Sequence, residues 1–289
     1  MKKIKKAVFP VAGLGTRFLP VTKASPKEML PIVDKPLIQY AAEEAVDAGI
    51  EQLIFVIGRT KNAIIDHFDS SPELEKELID KKKSKLLNLV KKIVPNNVDC
   101  IFVRQDNASG LGHAVQCAKN IINDESFAVI LADDLIKSKK SCLKQMVDIY
   151  HKEQCPLLAI ERINKKDSDK YGIIDYGKKL NNLYTINSIT EKPMPSKAKS
   201  NLGVVGRYLL PPSIFKKIEL LKPGIGKEIQ LTDAIAKLIL EQSVLGYEFE
   251  GTRFDCGSKI GYLQATTQYA LHHNEVGREY KRYLKKLKI

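Results

Sequence analysis

Residues 11–31 read VAGLGTRFLPVTKASPKEMLP, and this stretch determines how the rest of the chain is interpreted. It starts as a glycine-rich loop directly after a short apolar run, residues 7–11, which predicts a buried first strand. Such a loop lets backbone N–H groups approach phosphate oxygens, and the side chains of Arg17 and Lys27 add the charge to hold them. The stretch therefore predicts a cradle for a triphosphate.

The spacing of Gly13 and Gly15 separates this loop from other phosphate-binding loops. It matches neither GxxxxGK[ST], the motif of P-loop proteins, nor GxGxxG, the motif of dinucleotide-binding proteins. A Gly-x-Gly pair alone is weak evidence, because most such pairs are turns. The prediction depends on the pair together with the basic residues and the run PKEMLP at residues 26–31.

The segments that follow alternate between helix and strand patterns. Residues 37–48 predict a helix and residues 52–57 a second strand, which is the order of a parallel βαβ unit. Residues 100–104 and 128–131 predict further buried strands, with a helix over residues 114–122 between them. We therefore predict a Rossmann-like, doubly wound α/β fold with a mostly parallel central sheet.

The middle and the second half of the chain add helices and shorter strands. A helical excursion starts near Ser71 and Pro72, where apolar residues recur at three- and four-residue steps. We expect one domain over residues 1–289, with two halves at residues 1–150 and 151–262 and a helical tail at 263–289. The runs that predict a mixed sheet extension and later helices are residues 157–161, 172–176, 188–191, 203–209, 229–242, 262–272 and 279–289.

Composition excludes several classes of protein. Hydrophobic residues make up 44% of the chain without low-complexity segments, which indicates a globular protein. The five cysteines form no CxxC pair, so neither a disulfide framework nor a zinc knuckle is expected. We therefore expect the protein to work in a reducing cytosol. No apolar stretch approaches the ~20 residues that span a bilayer. The net charge of +13 fits solvated helix faces better than a nucleic-acid site, because aromatic residues do not alternate with the basic residues along the chain.

Motifs along nearly the whole chain resemble those of the sugar-nucleotide pyrophosphorylases, and within them the bacterial uridylyl-transferring branch. The resemblance implies a nucleotidyltransferase fold of the glycosyltransferase-A type. It also implies an enzyme that transfers the uridylyl group of UTP to glucose 1-phosphate and releases pyrophosphate. It also implies Mg²⁺ as cofactor and a homodimer or homotetramer. Beyond the first loop, the motifs are RQDNASGLGHAV, VILADDLI, YGIID, ITEKP, NLGVVGRY, GKEIQLTDAI and FDCGSKIGYLQA.

Three aspartates are candidates for binding the metal. Asp133 and Asp134 end a predicted strand, and paired carboxylates there suit a hard cation that also takes phosphate oxygens. The resemblance implies that Asp133 and Asp255 hold the magnesium ion, while Asp134 lies behind them or caps a helix. The catalytic set that it implies is Arg17, Lys27, Asp133, Lys192 and Asp255.

Gln105 and Gly110 follow the predicted third strand. An amide can accept from uracil N3–H and donate to a ring carbonyl, a pairing that cytosine reverses, and a glycine lets the base lie against backbone. Residue types alone favour a surface glutamine in a glycine-rich turn, whereas the resemblance implies the uracil site. His113 receives no role. The full UTP-binding set is Ala12, Gly13, Gly15, Glu28, Gln105 and Gly110.

Glu191 and Lys192 follow another predicted strand and are candidates for binding the sugar phosphate. A carboxylate can accept from two vicinal hydroxyls, and a lysine can offset the phosphate charge. An exposed ion pair at a strand end is the structural alternative. The resemblance implies a sugar-phosphate site formed by Gly172, Glu191, Lys192 and Gly203.

Two rival functions stay open at this point. A thymidylyltransferase for the same sugar phosphate is the nearer one, because uracil and thymine share the ring edge that Gln105 reads. The other is a catalytically silent, nucleotide-sensing homologue. The joint presence of the charged residues of the catalytic set argues against it.

Overall fold

The first half of the chain forms parallel strands joined by helices, as the sequence predicts. In the computed structural model, which describes residues 3–287, its four central strands lie side by side and run parallel, so their carboxyl ends share one edge of the sheet. The elements of this half are β1 (Lys6–Val11), β2 (Pro31–Ile32), β3 (Lys35–Pro36), α1 (Leu37–Asp47), β4 (Gln52–Ile57), α2 (Asn62–Phe68), α3 (Pro72–Asp80), α4 (Ser84–Lys91), β5 (Asp99–Arg104), α5 (Leu111–Cys117), α6 (Lys119–Ile122), β6 (Phe127–Ile130), β7 (Asp134–Lys137) and α7 (Cys142–Glu153).

The second half extends the same sheet with mixed strands. Its elements are β8 (Leu157–Arg162), β9 (Gly172–Leu180), β10 (Leu183–Glu191), β11 (Leu202–Leu210), α8 (Ile214–Glu219), α9 (Leu231–Ile239), β12 (Leu245–Glu248), β13 (Thr252–Asp255), α10 (Lys259–Ala270) and α11 (Gly277–Lys286). The strand order of the large sheet is β5-β4-β1-β6-β11-β8-β12-β10-β9.

The prediction of a mostly parallel sheet is wrong for the sheet as a whole. Among the nine pairings of the large sheet in the described chain, five are antiparallel. Strand β9 pairs with both β10 and β11, so the strands of the second half close into a ring. Short connections explain this, because β9 and β10 are joined by only residues 181–182, and a parallel crossover needs a dozen residues or more.

Helices cover both faces of the sheet, which confirms the doubly wound arrangement. One face packs against α1 and α7, and the other against α5, α8 and α9. The predicted helical excursion is present as α3 and α4, whereas the helix predicted over residues 114–122 is divided between α5 and α6.

A third, smaller cluster lies under the glycine-rich loop and joins it to the C-terminal part of the chain. Phe18 of the loop packs edge-on against Tyr262 of α10, with ring centres 5.7 Å apart, and Phe254 and Cys256 belong to the same cluster. The packing fixes the loop after β1 relative to the end of β13. It therefore positions two segments to which the sequence assigns catalytic residues.

The remaining predictions on the chain as a whole concern the tail, membrane spans and the cysteines. Tyr280 and Leu284 of α11 are partly buried and Leu287 is exposed, while residues 288–289 of the predicted tail lie outside the described residues. Within residues 3–287 there is no helix whose length and apolar character would allow it to cross a membrane. All five cysteines are free.

Candidate active site

Asp133 and Asp255, the two predicted metal ligands, face a common point. Strand β13 pairs antiparallel with β7, which places Asp255 beside Asp134, and the backbone N–H of Cys256 donates to the carbonyl of Asp133 at 2.8 Å. A Cβ on Gly257 would lie 2.9 Å from Asp133 Oδ2 and 3.0 Å from Asp255 Oδ1. The two carboxylates therefore converge on a gap that only a glycine leaves open.

Two basic side chains border this gap. Lys27 Nζ lies 2.5 Å from Asp133 Oδ2, and Arg17 Nη1 lies 3.5 Å from the carbonyl oxygen of Gly257. Burial opposes ionisation of Asp133, but the ammonium of Lys27 holds the pKa of that carboxyl below its usual range. Burial, and next the charge of Asp134, raise the pKa of Asp255. The charge of Arg253 offsets this rise only in part, so Asp255 is less well neutralised than Asp133.

The residues present fit a magnesium ion held by two protein carboxylates. Within the described part of the chain, no group of three or more His, Cys, Asp or Glu side chains could hold a metal ion. Mg²⁺ commonly uses one or two carboxylates and completes its shell with water and substrate phosphates. Asp133 and Asp255 supply such a pair, and the charges of Asp134 and Asp133, which add to burial in raising the pKa of Asp255, are ones that a cation would offset.

The glycine-rich loop folds over Lys27. Gly15 has a φ of 67°, and a Cβ there would lie 3.2 Å from Lys27 Cβ, while Thr22 Oγ1 donates to the carbonyl of Gly15 at 2.8 Å. The side of Gly13 where a Cβ would stand has no atom within 4 Å. Ala12 is buried at the loop's start. The loop therefore packs against Lys27 at Gly15 and leaves open space beside Gly13.

Glu28 occupies a different environment from its neighbour Lys27. Its side chain is 2% exposed, and Oε2 accepts from Lys61 Nζ at 2.9 Å. The short 3₁₀ turn at Lys27–Met29 sends successive side chains in different directions, so Lys27 faces the gap and Glu28 points inward. A direct contact between the Glu28 carboxylate and UTP would require this ion pair to open, and the pair itself anchors the turn that carries Lys27.

Gln105 lies at the carboxyl end of β5 and is 5% exposed. Its Nε2 donates to His113 Nδ1 at 2.9 Å and, more weakly, to the carbonyl of Gly110 at 3.4 Å. Both amide hydrogens are thus directed within the protein, which leaves the amide oxygen to meet a base. His113, which the sequence left without a role, orients this amide.

Gly110 is required by the close approach of a second segment. Its φ is 96°, and a Cβ there would lie 2.8 Å from the carbonyl oxygen of Ile229. Gly112 donates to Ile229, and Ile229 donates to Ser109, both at 2.8 Å. The loop after β5 is therefore docked on the residues that precede α9.

Glu191 and Lys192 lie together at the end of β10. Glu191 Oε2 accepts from Thr232 Oγ1 at 2.7 Å, and Oε1 is 3.2 Å from Lys192 Nζ. A Cβ on Gly172 would lie 3.5 Å from Glu191 Oε2. Lys192 has a φ of 45°, a strained backbone that in non-glycine residues clusters at ligand sites. The structure thus brings three of the four predicted sugar-site residues together.

Gly203, the fourth sugar-site residue, lies one strand away. Its Cβ position is 3.2 Å from Tyr171 Cγ, and the carbonyl of Tyr171 accepts from the backbone N–H of Lys192 at 2.9 Å. Gly203 therefore packs against Tyr171 and is one residue removed from Lys192. The ammonium of Lys192 lies on Glu191 rather than on the carboxylates near Lys27.

Asp134 is buried, and both of its carboxylate oxygens are bonded within the protein. Its Oδ1 accepts from Nε and Nη2 of Arg253 at 2.9 and 2.6 Å, and its Oδ2 accepts from the N–H of Gly206 at 2.7 Å. The prediction that it lies behind the metal ligands agrees with this geometry. The alternative prediction, that Asp134 caps a helix, is wrong, since Asp134 begins strand β7.

Two arginines near the site were missed from the sequence. Arg207 is 1% exposed, pairs with Glu44 Oε2 at 2.7 Å, and donates to the carbonyls of Leu131 and Asp134 on either side of Asp133. Arg253 lies two residues before Asp255 in β13. The alternation of a strand places those two on one face, and this signal could have identified Arg253.

Known proteins are similar to this chain over most of its length. A family model described as nucleotidyl transferase matches residues 6–271. A UTP-glucose-1-phosphate uridylyltransferase of Bacillus subtilis is 49% identical over 276 residues, which cover 96% of this chain and 94% of that protein. A solved UTP-bound UGPase from Acinetobacter baumannii is 45% identical, with a TM-score of 0.92, over 99% of this chain and all of that one. A UDP-glucose pyrophosphorylase complexed with UDP-glucose is also 45% identical, with a TM-score of 0.86, over 93% of this chain and all of that one.

Proposed function

The chain belongs to the nucleotidyl transferase family, and from that premise we propose that it joins UTP to glucose 1-phosphate, giving UDP-glucose and pyrophosphate. The observation that carries the proposal is the convergence of Lys27, Asp133 and Asp255 beside the glycine-rich loop. The names and complexes of the similar proteins support the choice of substrates.

A phosphate oxygen of glucose 1-phosphate attacks the α-phosphorus of UTP in line, and pyrophosphate leaves. That oxygen is already ionised at neutral pH, so no side chain has to remove a proton. Catalysis then depends on positioning and on offsetting negative charge, which Arg17, Lys27 and Lys192 supply. Bound between Asp133 and Asp255, a divalent ion, in our proposal Mg²⁺, would polarise the phosphoryl oxygens.

Cys256 lies between Asp255 and Gly257 but is only 1% exposed, and in our proposal it takes no part in this reaction. Burial, followed by the charges of Asp133 and Asp134, raises the pKa of its thiol to about 12. The thiol therefore stays protonated, which supports direct transfer to the sugar phosphate rather than a covalent uridylyl-enzyme.

Selection of the base falls to the oxygen of the Gln105 amide. Uracil presents an N3–H donor to this oxygen, whereas N3 of cytosine is an acceptor. With CTP bound, the amide oxygen and cytosine N3 would therefore face each other as two acceptors, without a hydrogen bond. Thymine presents the same N3–H, so discrimination against dTTP has to come from contacts to the 5-methyl or 2′-hydroxyl positions. Glu191 is held by Thr232 and Lys192 with its carboxylate partly exposed to receive sugar hydroxyls.

A pyrophosphate-release assay over a matrix of UTP, dTTP, CTP and ATP against glucose, galactose and mannose 1-phosphates tests the proposal. We expect the highest kcat/KM with UTP and glucose 1-phosphate, and UDP-glucose as the product. A clear preference for dTTP would replace the proposal by a thymidylyltransferase. Binding of uridine nucleotides without pyrophosphate release would favour the catalytically silent, nucleotide-sensing homologue.

Two further properties belong to the same proposal. We infer that the protein works as a homodimer or homotetramer in the cytosol, on the family resemblance and on its five free cysteines. Sedimentation velocity of the purified chain would test the assembly, and a monomer at all concentrations would contradict it.

A further inference from the structure

Arg253 lies between the two halves of the site and has partners in both. Its Nε and Nη2 donate to Asp134 Oδ1 at 2.9 and 2.6 Å, while Nη1 donates to Tyr171 Oη at 3.2 Å and to Glu161 Oε2 at 3.3 Å. Its side chain is 8% exposed, and the guanidinium carbon stands 5.3 Å from the centre of the Tyr171 ring. None of these groups takes part in the reaction proposed above.

One end of this cluster is tied to the predicted metal ligands. Asp134 is covalently joined to Asp133, and it lies opposite Asp255 in the pairing of β7 with β13. Arg253 is also two residues before Asp255 on the same strand face. A shift of the guanidinium would therefore displace both carboxylates that face the metal position.

The other end is tied to the sugar side. The carbonyl of Tyr171 accepts from the backbone N–H of Lys192, and its ring packs against Gly203. The next residue is Gly172, whose Cβ position lies against Glu191. Tyr171 thus contacts Lys192 and the Gly203 position and directly precedes Gly172, three of the four residues assigned to the sugar phosphate.

We propose that Arg253 is a positioning residue that couples the carboxylates at the metal position to the sugar side of the cleft, through Asp134 and Tyr171. In-line attack needs the sugar phosphate and the α-phosphorus in fixed relative positions, and misplacement by about 1 Å costs on the order of a hundredfold in rate. The planar fork of an arginine can hold a carboxylate and a phenol at once, whereas a lysine offers a single point charge. The inference rests on the proposed function of the site.

Two conservative variants separate the arms of this cluster. Tyr171→Phe removes only the hydroxyl that accepts from Arg253, so we expect the KM for glucose 1-phosphate to rise roughly three- to tenfold with little change in the KM for UTP. Arg253→Lys keeps the charge beside Asp134 but cannot span to Tyr171. It should raise the glucose 1-phosphate KM at least as much and also raise the magnesium concentration for half-maximal rate.

Calorimetry supplies a readout that does not depend on turnover. Both variants should bind UDP-glucose more weakly than the wild type, while the affinity for UDP in the absence of added metal changes much less. The double variant should lose no more UDP-glucose affinity than Arg253→Lys alone, because the two residues act as one unit.

Arg162→Lys is the matched control. Arg162 also bonds a tyrosine and a glutamate, with Nη2 2.9 Å from Tyr184 Oη and Nε 2.8 Å from Glu248 Oε1, and neither of these partners belongs to the proposed site. We expect it to change none of these quantities.

The proposal is overturned if Tyr171→Phe leaves both the glucose 1-phosphate KM and the UDP-glucose affinity unchanged. If Arg253→Lys does not fold, the result for Tyr171→Phe is by itself sufficient to support or overturn the proposal. It is also overturned if folded Arg253→Lys behaves like Arg162→Lys. A wild-type protein that forms no UDP-glucose from UTP and glucose 1-phosphate would refute the proposed function instead. In that case unaltered UDP-glucose binding by the variants would still refute the coupling separately.

Discussion

The two ends of the candidate site differ in how their charged groups are arranged. At the phosphate end, two carboxylates, Asp133 and Asp255, converge, and Lys27 bonds only the first of them while Arg17 bonds the backbone at Gly257. At the sugar end, the carboxylate of Glu191 is met by the ammonium of Lys192 and the hydroxyl of Thr232. The first arrangement suits a divalent cation and the second suits neutral hydroxyls beside a phosphate. Substitutions at the two ends should therefore differ both in size and in the substrate they affect.

The largest effect is expected at the phosphate end. Asn in place of Asp133 or Asp255 keeps an oxygen but removes a unit of charge, so activity should fall by roughly a hundredfold or more, since the lost charge stabilisation is worth several kcal/mol. Raised magnesium, or manganese, should restore part of it. An initial-rate titration of the metal, run beside thermal unfolding, measures both consequences.

Asp148→Asn is a matched control for these two variants. Asp148 pairs with Lys144 at 3.5 Å on the surface helix α7, and its loss should leave the metal dependence unchanged. If Asp255→Asn keeps near-normal turnover at limiting magnesium, the two-carboxylate site is refuted. A lowered melting temperature with an unchanged magnesium dependence would assign a structural role to the aspartate instead.

An intermediate effect is expected at the sugar end. Glu191→Ala removes an acceptor of sugar hydroxyls that is remote from the nucleotide, so the KM for glucose 1-phosphate should rise about 5- to 150-fold while that for UTP stays similar. Steady-state kinetics with each substrate varied in turn gives both values. Glu248→Ala is the control, because Glu248 has a comparable hydroxyl partner, Tyr184, at 2.6 Å. A change confined to UTP would show that the sugar assignment is wrong.

The smallest effect is expected at the base. Gln105→Ala removes the amide oxygen assigned to uracil N3–H, so the KM for UTP should rise roughly three- to tenfold and the discrimination against CTP should weaken. Competition between UTP and CTP in one assay measures this directly. Gln116→Ala, which removes a partly buried amide whose nitrogen donates to Glu219, should leave selectivity as it is. Unaltered selectivity in Gln105→Ala would remove that residue from the base site.

Sequence reasoning was most successful where a signal is local. The strand before the glycine-rich loop and the strand over residues 52–57 are recognised by their apolar runs, and the structure confirms them as β1 and β4. Loops that follow parallel strands share one edge of the sheet, so Gln105 and Asp133 could be placed near the loop of Gly13 from strand order alone.

The sequence was least informative where distant segments meet. Nothing in the run near Glu191 indicates that Thr232 will donate to it, and the ion pair of Glu28 with Lys61 joins two segments with no shared pattern. The ring formed by β9 and β11 likewise depends on the packing of separate strands. Such contacts follow from tertiary structure and leave little trace in the spacing of residues.

The most direct test of direct transfer is the stereochemistry at the α-phosphorus. The reaction of UTP bearing a chiral, sulfur-substituted α-phosphorus with glucose 1-phosphate can be followed by phosphorus NMR of the product. A single in-line attack, with the Cys256 thiol protonated and no covalent intermediate, predicts inversion of configuration. Retention would mean two successive displacements through a uridylyl-enzyme, and would contradict the account.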